Sequence, residues 1–401
     1  MLRVLTLSTL FPDATRRNFG VFVERQTLGL AAHPDVDLRA VAPIGLLPGP
    51  LRYLPGRSAL TTLPAQEVWK GIPVHRPRFT AWPMTAGRHH ARALERALIP
   101  VLDAIRADFA FDVIDASFFF PDGPAAIALG RRYGVPVSIK ARGADIHHWG
   151  RNPATAAQVR AAGQGADGLL AVSDAMADDM IALGMPADRI RVHATGVDQD
   201  RFAPVDRNRA KTLLGISGPL IVSVGALIPR KGHDVVIEAV AALPGVSLRI
   251  AGAGPDLARL EALVAHTGAA DRIRLLGSVP HADIPDLIAA ADVMALASSS
   301  EGLANAWVEA LASGTPIVIT DAGGAREVVT SPDAGRIAAR TPAAFAAAIS
   351  DLLQAPPSTA ATRATAARFT WEANTAALYA HLSGLVRERV ERAGDPAPFA
   401  A

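Results

Sequence analysis

The sequence contains no cysteine among its 401 residues, so disulfide bonds and thiolate metal sites are excluded. It also lacks an uninterrupted run of about 18 apolar residues, the length that a membrane-spanning helix needs. The opening residues MLRVLTLSTLFPD lack the basic, apolar and cleavage regions of a signal peptide and are typical of a β-strand. Together these absences predict a cytoplasmic location.

An excess of charge of either sign is also missing. The chain has 40 lysines and arginines against 38 aspartates and glutamates, a net charge of +2. Dedicated nucleic-acid binders usually carry a strong basic excess, so no nucleic-acid partner is expected. Half of the residues are apolar, and the chain is longer than one hydrophobic core usually covers, which predicts two domains.

Short apolar runs alternate with segments of helical periodicity, from LRVLTLST near the start to PIVITD late in the chain. This alternation predicts parallel sheets covered by helices on both faces. We therefore predict an α/β fold of two Rossmann-like domains whose parallel sheets face a central cleft. The predicted parts are an N-terminal domain over 1–200, a C-terminal domain over 201–370, a helix over 371–392 that packs back on the first domain, and a disordered tail over 393–401.

The strongest motif is ASSSEGLANAWVEALASGTPIVITDAGGAREVV, residues 297–329. It predicts a strand end, a loop that contains Glu301, and a helix that contains Glu309. Ionised glutamates accept hydrogen bonds, which suits the hydroxyls of a ribose and a hexose. The alternative is a pair of solvated charges at a helix end. Free N–H groups in the first turn would form an anion site for a diphosphate, at Gly302, Leu303, Ala304 and Asn305.

Three further segments carry candidate residues. Arg230 and Lys231 follow the first strand of the second domain, which ends at Gly225, and would hold a diphosphate and offset its growing charge. The alternative there is a polar loop with exposed cations. Gly20 opens the first helix after a loop that would face the diphosphate from the first domain, although a plain strand–helix connection remains an equal alternative.

The third of these segments, Arg142-Gly-Ala-Asp145, directly follows the run VPVSIKA and suggests a reacting centre at a strand end. Two adjacent histidines follow it, His147 and His148. Neighbouring residues rarely chelate one ion, so no metal site is predicted.

These segments resemble the glycosyltransferases of family 4, which have the GT-B fold. The opening FPDATRRNFGVFVERQ is similar to a subgroup that builds cell-surface polysaccharides. The resemblance implies a retaining hexosyltransferase that uses a nucleotide-diphosphate sugar as donor, a saccharide or lipid-linked acceptor, and no cofactor or essential metal. It assigns the ribose to Glu309, the donor sugar to Glu301, the diphosphate to Arg230 and Lys231, and a place beside the base to Val279.

Departures from the family pattern leave some roles open. Arg142 stands where many relatives have a histidine that contacts the donor sugar, and Ala226 stands where many have an arginine. Many relatives also have asparagine where this chain has Thr195. The resemblance further implies that the leaving phosphate acts as the base, because no residue stands out as a covalent nucleophile. We also expect the two domains to close over the donor.

Other functions remain as alternatives. Gly252 and Gly254 follow a strand as in a dinucleotide-binding loop, but the acidic residue expected about 20 positions later is absent. A non-catalytic nucleotide-sugar-binding protein and a sugar-nucleotide epimerase on the same fold also stay open. The basic stretch from Arg76 to Arg96 contains Trp82 and predicts peripheral contact with the inner face of a membrane; an ordinary solvated helix and loop is the alternative.

Overall fold

The computed structural model describes residues 1–394, and the chain forms two compact units. Unit 1 consists of Met1–Ala194 and the segment that begins at Trp371, and unit 2 consists of Thr195–Thr370. The chain therefore enters unit 2 after Ala194 and returns to unit 1 after Thr370. Unit 1 is built from both ends of the described chain.

The main sheet of unit 1 is parallel except at one edge strand, and helices lie between many of its strands. The strands of unit 1 are β1 Leu2–Leu7, β2 Val36–Val41, β3 Ile44–Leu46, β4 Gln66–Trp69, β5 Ile72–His75, β6 Arg78–Thr80, β7 Val113–Ala116, β8 Val137–Ala141, β9 Gly168–Ala171 and β10 Ile190–Val192. Its helices in this part of the chain are α1 Val21–Ala31, α2 His90–Arg106, α3 Asp122–Tyr133, α4 Ala156–Gly165 and α5 Asp174–Ala182. The main sheet has the order β10-β9-β8-β7-β1-β2-β5-β4, and β3 pairs with β6 separately.

The edge strand β4 runs antiparallel to β5, which departs from the wholly parallel sheet that the sequence predicts. Trp69 pairs with Ile72, so only two residues form the turn. Both have positive φ, 48° at Lys70 and 92° at Gly71. Such a two-residue turn matches the twist of a hairpin and forces the antiparallel pairing.

Unit 2 is a second parallel sheet, with the order β13-β12-β11-β14-β15-β16. Its strands are β11 Leu220–Val224, β12 Ser247–Ala251, β13 Ile273–Gly277, β14 Val293–Leu296, β15 Ile317–Ile319 and β16 Gly335–Ile337. Its helices are α6 Arg207–Leu213, α7 His233–Ala241, α8 Leu257–His266, α9 Ile284–Ala289, α10 Asn305–Ala312, α11 Ala325–Val328, α12 Pro342–Gln354 and α13 Thr359–Ala364. The strand β14 is buried along its whole length, because helices cover both faces of a parallel sheet.

The last helix, α14 Trp371–Gly394, packs on α1 in unit 1. Its Leu378 and Leu382 are fully buried in the same core as Val23 and Leu30. Of the tail predicted over 393–401, the first two residues belong to α14, and 395–401 lie outside the described residues. Within 1–394, no helix has both the length and the apolar character that a bilayer crossing requires.

Candidate functional site

Two loops of unit 2 leave neighbouring strands at the point where the strand order reverses. β11 pairs in parallel with both β12 and β14, so the chain runs outward from β11 in both directions. In open α/β sheets, ligands bind at the carboxyl ends of strands at such a switch point. The loop after β11 carries Arg230 and Lys231, and the loop after β14 carries Glu301. The structure therefore brings together the residues of two separate sequence motifs.

The Glu301 carboxylate is the centre of this cluster. Glu301 is 6% exposed, and Lys231 Nζ donates a hydrogen bond to its Oε1 as part of an ion pair. The hydroxyl of Ser298 donates to the same oxygen at 2.7 Å. Arg230 Nη1 lies 3.5 Å from Oε2 and also donates to the carbonyl of Ser300. Ser298 was not predicted as a site residue, although it stands in the motif that contains Glu301.

Backbone contacts hold the two loops against each other. The N–H of Ser299 donates to the carbonyl of Arg230 at 2.8 Å. Arg340 donates to the carbonyls of Ala297 and Pro229 at 2.8 and 2.9 Å, and so joins both loops. No local sequence signal predicts this role for Arg340, because it lies about 40 positions after Ala297.

Two glycines make this approach of backbones possible. Gly232 has φ 67°, and a Cβ there would lie 2.0 Å from the carbonyl oxygen of Ala297. Gly323 has φ 53°, and a Cβ there would lie 2.3 Å from the carbonyl oxygen of Glu301. A side chain at Gly232 would push the two loops apart, and one at Gly323, which follows β15, would displace the loop that contains Glu301.

The helix α10 begins one turn after Glu301. The sequence predicts that Gly302, Leu303, Ala304 and Asn305 belong to the first turn. In the structure the helix starts at Asn305, with Ala304 as the preceding cap, so Gly302 and Leu303 lie in the loop. Its first N–H groups lack intrahelical partners, as at every helix start. Trp307 already donates to the carbonyl of Ala304. The predicted anion site would therefore lie nearer to Asn305 than to Gly302.

Glu309 lies on α10 and is partly buried, with 16% of its side chain exposed. Its Oε1 is 3.8 Å from Nε2 of His281, which sequence reasoning missed. The His281 ring stacks edge to face on Phe202 at 6.1 Å between centroids. Val279 lies in the same loop as His281, at the carboxyl end of β13. The structure thus places the residues predicted for the ribose and the base at the same sheet edge as Glu301.

The histidine that opens α7 supports the Lys231 loop from inside. His233 Nδ1 lies 3.0 Å from the hydroxyl of Ser223, and Nε2 lies 3.3 Å from the carbonyl of Ala226. Burial lowers the pKa of His233 to about 4, so the ring is neutral at neutral pH. A neutral ring accepts from Ser223 and donates to Ala226, which fixes the backbone just after Gly225.

The glycines that suggested a dinucleotide loop have a packing reason. A Cβ at Gly252 would lie 1.8 Å from the carbonyl oxygen of Gly225, and one at Gly254 would lie 2.2 Å from that of Leu227. Close approach of the neighbouring loop therefore accounts for both glycines. The geometry gives no separate support to the oxidoreductase alternative.

In unit 1, Arg142 lies at the carboxyl end of β8. Its Nε donates to the carbonyl of Ser117 at 2.6 Å, and its Nη2 donates to Gln26 at 3.1 Å. Its guanidinium also lies 4.9 Å from the ring centroid of Phe22. Burial lowers its pKa to about 10, against the opposing effect of Asp145 and Asp115, so it stays charged. Nη1 has no hydrogen-bond partner among the described residues, and contact of Arg142 with a ligand stays a prediction.

Asp145 is fully buried, and its carboxylate is occupied by backbone N–H groups. It accepts from Gly143 at 2.8 Å, from Arg142 at 3.0 Å and from Phe119 at 3.1 Å. Burial raises its pKa, and these hydrogen bonds oppose that effect. The geometry is that of a residue that shapes the Arg142 loop. Direct contact of Asp145 with a sugar stays a prediction.

A buried polar network lies beneath Arg142. Lys140 Nζ donates to Gln26 at 3.0 Å and contacts Nδ1 of His193 at 2.6 Å. His193 Nε2 is 2.8 Å from the carbonyl of Asn374 on α14. Burial lowers the pKa of Lys140 well below its usual range, and likewise that of His193. The side-chain oxygen of Gln26 therefore accepts hydrogen bonds from both Lys140 and Arg142.

The remaining predicted residues have local explanations. Gly20 has φ 66°, and a Cβ there would lie 1.5 Å from the carbonyl oxygen of Leu10, so the backbone alone requires glycine. Its contact with a diphosphate stays a prediction. His147 pairs with Asp179 at 2.7 Å, and the His148 ring packs on Trp149. Within the described residues no three His, Asp or Glu side chains are grouped to hold a metal ion.

Comparisons with known proteins follow this division of the chain. Residues 35–201 match the family model described as Glycosyltransferase Family 4, and residues 205–369 match the one described as Glycosyl transferases group 1. The two matches together take in most of the chain, which therefore belongs to these glycosyltransferase families. The chain is 35% identical over 249 residues to D-inositol 3-phosphate glycosyltransferases of Mycobacterium tuberculosis and Mycobacterium bovis, which is 57% of this chain and 52% of theirs. It thus spans about half the length of the curated relatives it matches.

Solved structures with the same fold cover nearly all of the chain. Sucrose-phosphate synthase from Thermosynechococcus elongatus superposes with a TM-score of 0.79 at 19% identity, over 98% of this chain and 100% of that one. Anabaena HepE in complex with UDP-glucose gives 0.66 at 21% identity, over 98% and 99%. Starch synthase IV from Arabidopsis thaliana, bound to ADP and acarbose, gives 0.73 at 14% identity, over 96% and 99%. These likenesses establish the fold, and the GT-B prediction is confirmed.

Proposed function

We propose that the protein is a retaining glycosyltransferase that moves a sugar from a nucleotide-diphosphate sugar to an acceptor hydroxyl. One observation carries this proposal: Arg230, Lys231 and the buried Glu301 meet at the switch point of a parallel sheet, next to the start of α10. Cations and a helix N-terminus bind a diphosphate, and a buried carboxylate beside them accepts from sugar hydroxyls. Membership of the glycosyltransferase families supports this assignment.

Each part of the donor has residues of matching chemistry in unit 2. Arg230, Lys231 and the N–H groups around Asn305 suit the diphosphate. Glu309 suits the ribose hydroxyls, and Val279 lies where an apolar side chain would cover the base. The Anabaena relative in complex with UDP-glucose supports a nucleotide sugar of this class as donor.

The proposed reaction breaks the bond between the anomeric carbon and the diphosphate oxygen. The electron pair of that bond goes to the diphosphate, where Arg230 and Lys231 offset the new charge. The acceptor oxygen bonds to the anomeric carbon on the same face, and its proton passes to the leaving phosphate. Configuration is therefore retained, and no cofactor enters the balance.

Binding of a bare nucleoside diphosphate tests the ribose assignment. Because Glu309 would accept from the ribose, Glu309→Ala should weaken binding of UDP, ADP or GDP by about tenfold, as loss of a hydrogen bond to a charged group does. Titration calorimetry measures this on the full chain. Unchanged affinity would remove the role. A transfer and hydrolysis assay with the same donors separates a transferase from an epimerase and from a non-catalytic binding protein.

We further propose that unit 1 contacts an anionic membrane surface, as a lipid-linked acceptor for cell-surface polysaccharide synthesis would require. Trp82 is 48% exposed, and Met84 is fully exposed. Arg92 and Arg96 lie one turn apart on α2 and, with Trp82, line a cavity of about 240 Å³. No acidic partner neutralises these two arginines within 1–394. Exposed apolar side chains beside unpaired cations are typical of interfacial binding.

Flotation with vesicles tests the membrane proposal. Reversal of one charge, Arg92→Glu, should weaken binding to phosphatidylglycerol vesicles by about fivefold or more, since each cation near an anionic surface contributes about that factor. Arg209→Glu, at an exposed arginine of unit 2, is the matched control and should bind as wild type. Equal loss in both variants, or binding to neutral phosphatidylcholine vesicles, would contradict the proposal.

A further inference from the structure

The two cations proposed for the diphosphate already have a partner in the protein. Lys231 Nζ pairs with Oε1 of Glu301, and Arg230 Nη1 lies 3.5 Å from Oε2. Only 14% of the Lys231 side chain and 8% of the Glu301 side chain are exposed. Water therefore compensates little if this pair separates.

A bound diphosphate competes with Glu301 for Lys231. When Lys231 turns to a phosphate oxygen, Oε1 keeps only the Ser298 hydroxyl, which donates at 2.7 Å. A buried carboxylate that loses a cationic partner is costly unless another donor replaces it. The hydroxyls of a donor sugar are such donors, and a bare nucleoside diphosphate brings none.

We propose that Glu301 is a specificity-determining residue that favours the sugar-bearing donor over the bare nucleoside diphosphate. This inference rests on the proposed function. With the donor bound, sugar hydroxyls replace Lys231 at Glu301. After transfer the sugar is gone, Glu301 lacks that replacement, and it draws Lys231 back from the diphosphate. Glu301 thereby promotes release of the product.

Substitution of Glu301 should have different effects on the binding of a bare nucleoside diphosphate and of a sugar nucleotide. Glu301→Gln keeps the shape of the side chain and removes the charge that holds Lys231. Affinity for bare UDP, ADP or GDP should rise roughly tenfold, the scale of a hydrogen bond to a charged group. Affinity for UDP-glucose, ADP-glucose or GDP-mannose should fall or stay level, because the sugar loses a charged acceptor. Calorimetry with each pair of ligands gives the ratio of the two dissociation constants.

A second variant should change the affinity for the bare nucleoside diphosphate in the opposite direction. Ser298→Ala removes the one donor that remains on Oε1 when Lys231 leaves. Bare nucleoside diphosphate should then bind more weakly than to wild type, while the sugar nucleotide is less affected. This variant does not alter any charge and keeps the test open if Glu301→Gln fails to fold.

Glu309→Gln is the matched control. Glu309 lies on α10 and is assigned to the ribose, which both ligands share. It should weaken both ligands by a similar factor. If Glu301→Gln weakens bare diphosphate as much as sugar nucleotide, the inference fails while the proposed function stands. If wild type binds none of the three pairs, the proposed function fails and the inference with it.

Discussion

At the scale of single residues, burial decides what each charged group does. Glu301 is buried among two cations and a hydroxyl, so its charge is compensated inside the protein. Asp145 is buried among backbone N–H groups and holds a loop. Asp122 is also fully buried, but its Oδ1 has no hydrogen-bond partner in the described chain. The same side-chain type therefore has different consequences for binding, loop shape and stability.

Asp122 should make the stability of unit 1 depend on pH. It accepts from the N–H of Thr9 at 2.8 Å, and burial raises its pKa to about 7. The folded state thus favours the protonated form, so the stabilisation is full below about pH 4 and is lost as pH rises through 7. Relative to wild type, Asp122→Asn should gain on the order of 3 kcal/mol in the free energy of unfolding between pH 5 and pH 8. Denaturant titrations at both values measure this.

Asp103 is the control for this measurement. It is exposed, and a hydrogen bond from Tyr133 lowers its pKa, so its charge does not change between pH 5 and pH 8. Asp103→Asn should change the free energy of unfolding by the same amount at both values. An Asp122→Asn variant that behaves like this control would contradict the raised pKa of Asp122.

At the scale of elements, backbone packing places the site. The two loops at the carboxyl ends of β11 and β14 are joined by Arg340 and by the close approach at Gly232, and Gly323, which follows β15, packs against the loop that contains Glu301. The helix α10 then starts from the loop that contains Glu301. Donor binding should therefore depend on residues whose side chains, or lack of side chains, never contact the donor.

Gly323 tests this dependence. A Cβ at Gly323 would lie 2.3 Å from the carbonyl oxygen of Glu301 and 2.5 Å from that of Gly302. Gly323→Ala should therefore displace the loop and weaken nucleoside diphosphate binding roughly tenfold or more, because small displacements of positioned groups are costly. Calorimetry on the folded variant measures the loss.

Gly268 provides the matched control for backbone strain alone. It also has a positive φ, 68°, but a Cβ there would meet no atom within 4 Å. Gly268→Ala should cost about 1 kcal/mol of stability and leave nucleotide affinity unchanged. Equal affinity in both variants would show that the Gly323 contact does not position the site.

The elements differ in how far the sequence predicts them. Apolar runs such as LIVSV and VMAL predict β11 and β14, and the run from Glu301 to Pro316 predicts α10 to within a residue or two. Short strands such as β3 and β16 escape prediction, because their sequences IGL and GRI do not form an apolar run. The role of Arg340 is not predicted, because its contacts are with residues far away in the sequence. The burial of Asp145 is likewise not evident from its position at a strand end.

At the scale of the whole molecule, the proposed donor residues all belong to unit 2. A ligand that binds the native state stabilises it by about 2.7 kcal/mol at 100 times its dissociation constant. Nucleoside diphosphate should therefore slow amide hydrogen exchange in the loops around 225–232 and 298–309. Amides in β7, β8 and β9 of unit 1 should be less affected. Hydrogen exchange read by mass spectrometry tests this, and protection concentrated in unit 1 would contradict the donor assignment.

The division of the chain also sets an order of events during synthesis. The core beneath α1 needs Leu378 and Leu382, which the ribosome adds only after all of unit 2. Unit 2 has its own core, formed by residues from Ile221 to Leu352, and does not wait for any later segment to bury it. Although its strands emerge first, unit 1 keeps an apolar surface uncovered while about 175 further residues are translated. The part of the protein that is made first is thus the part that finishes folding last.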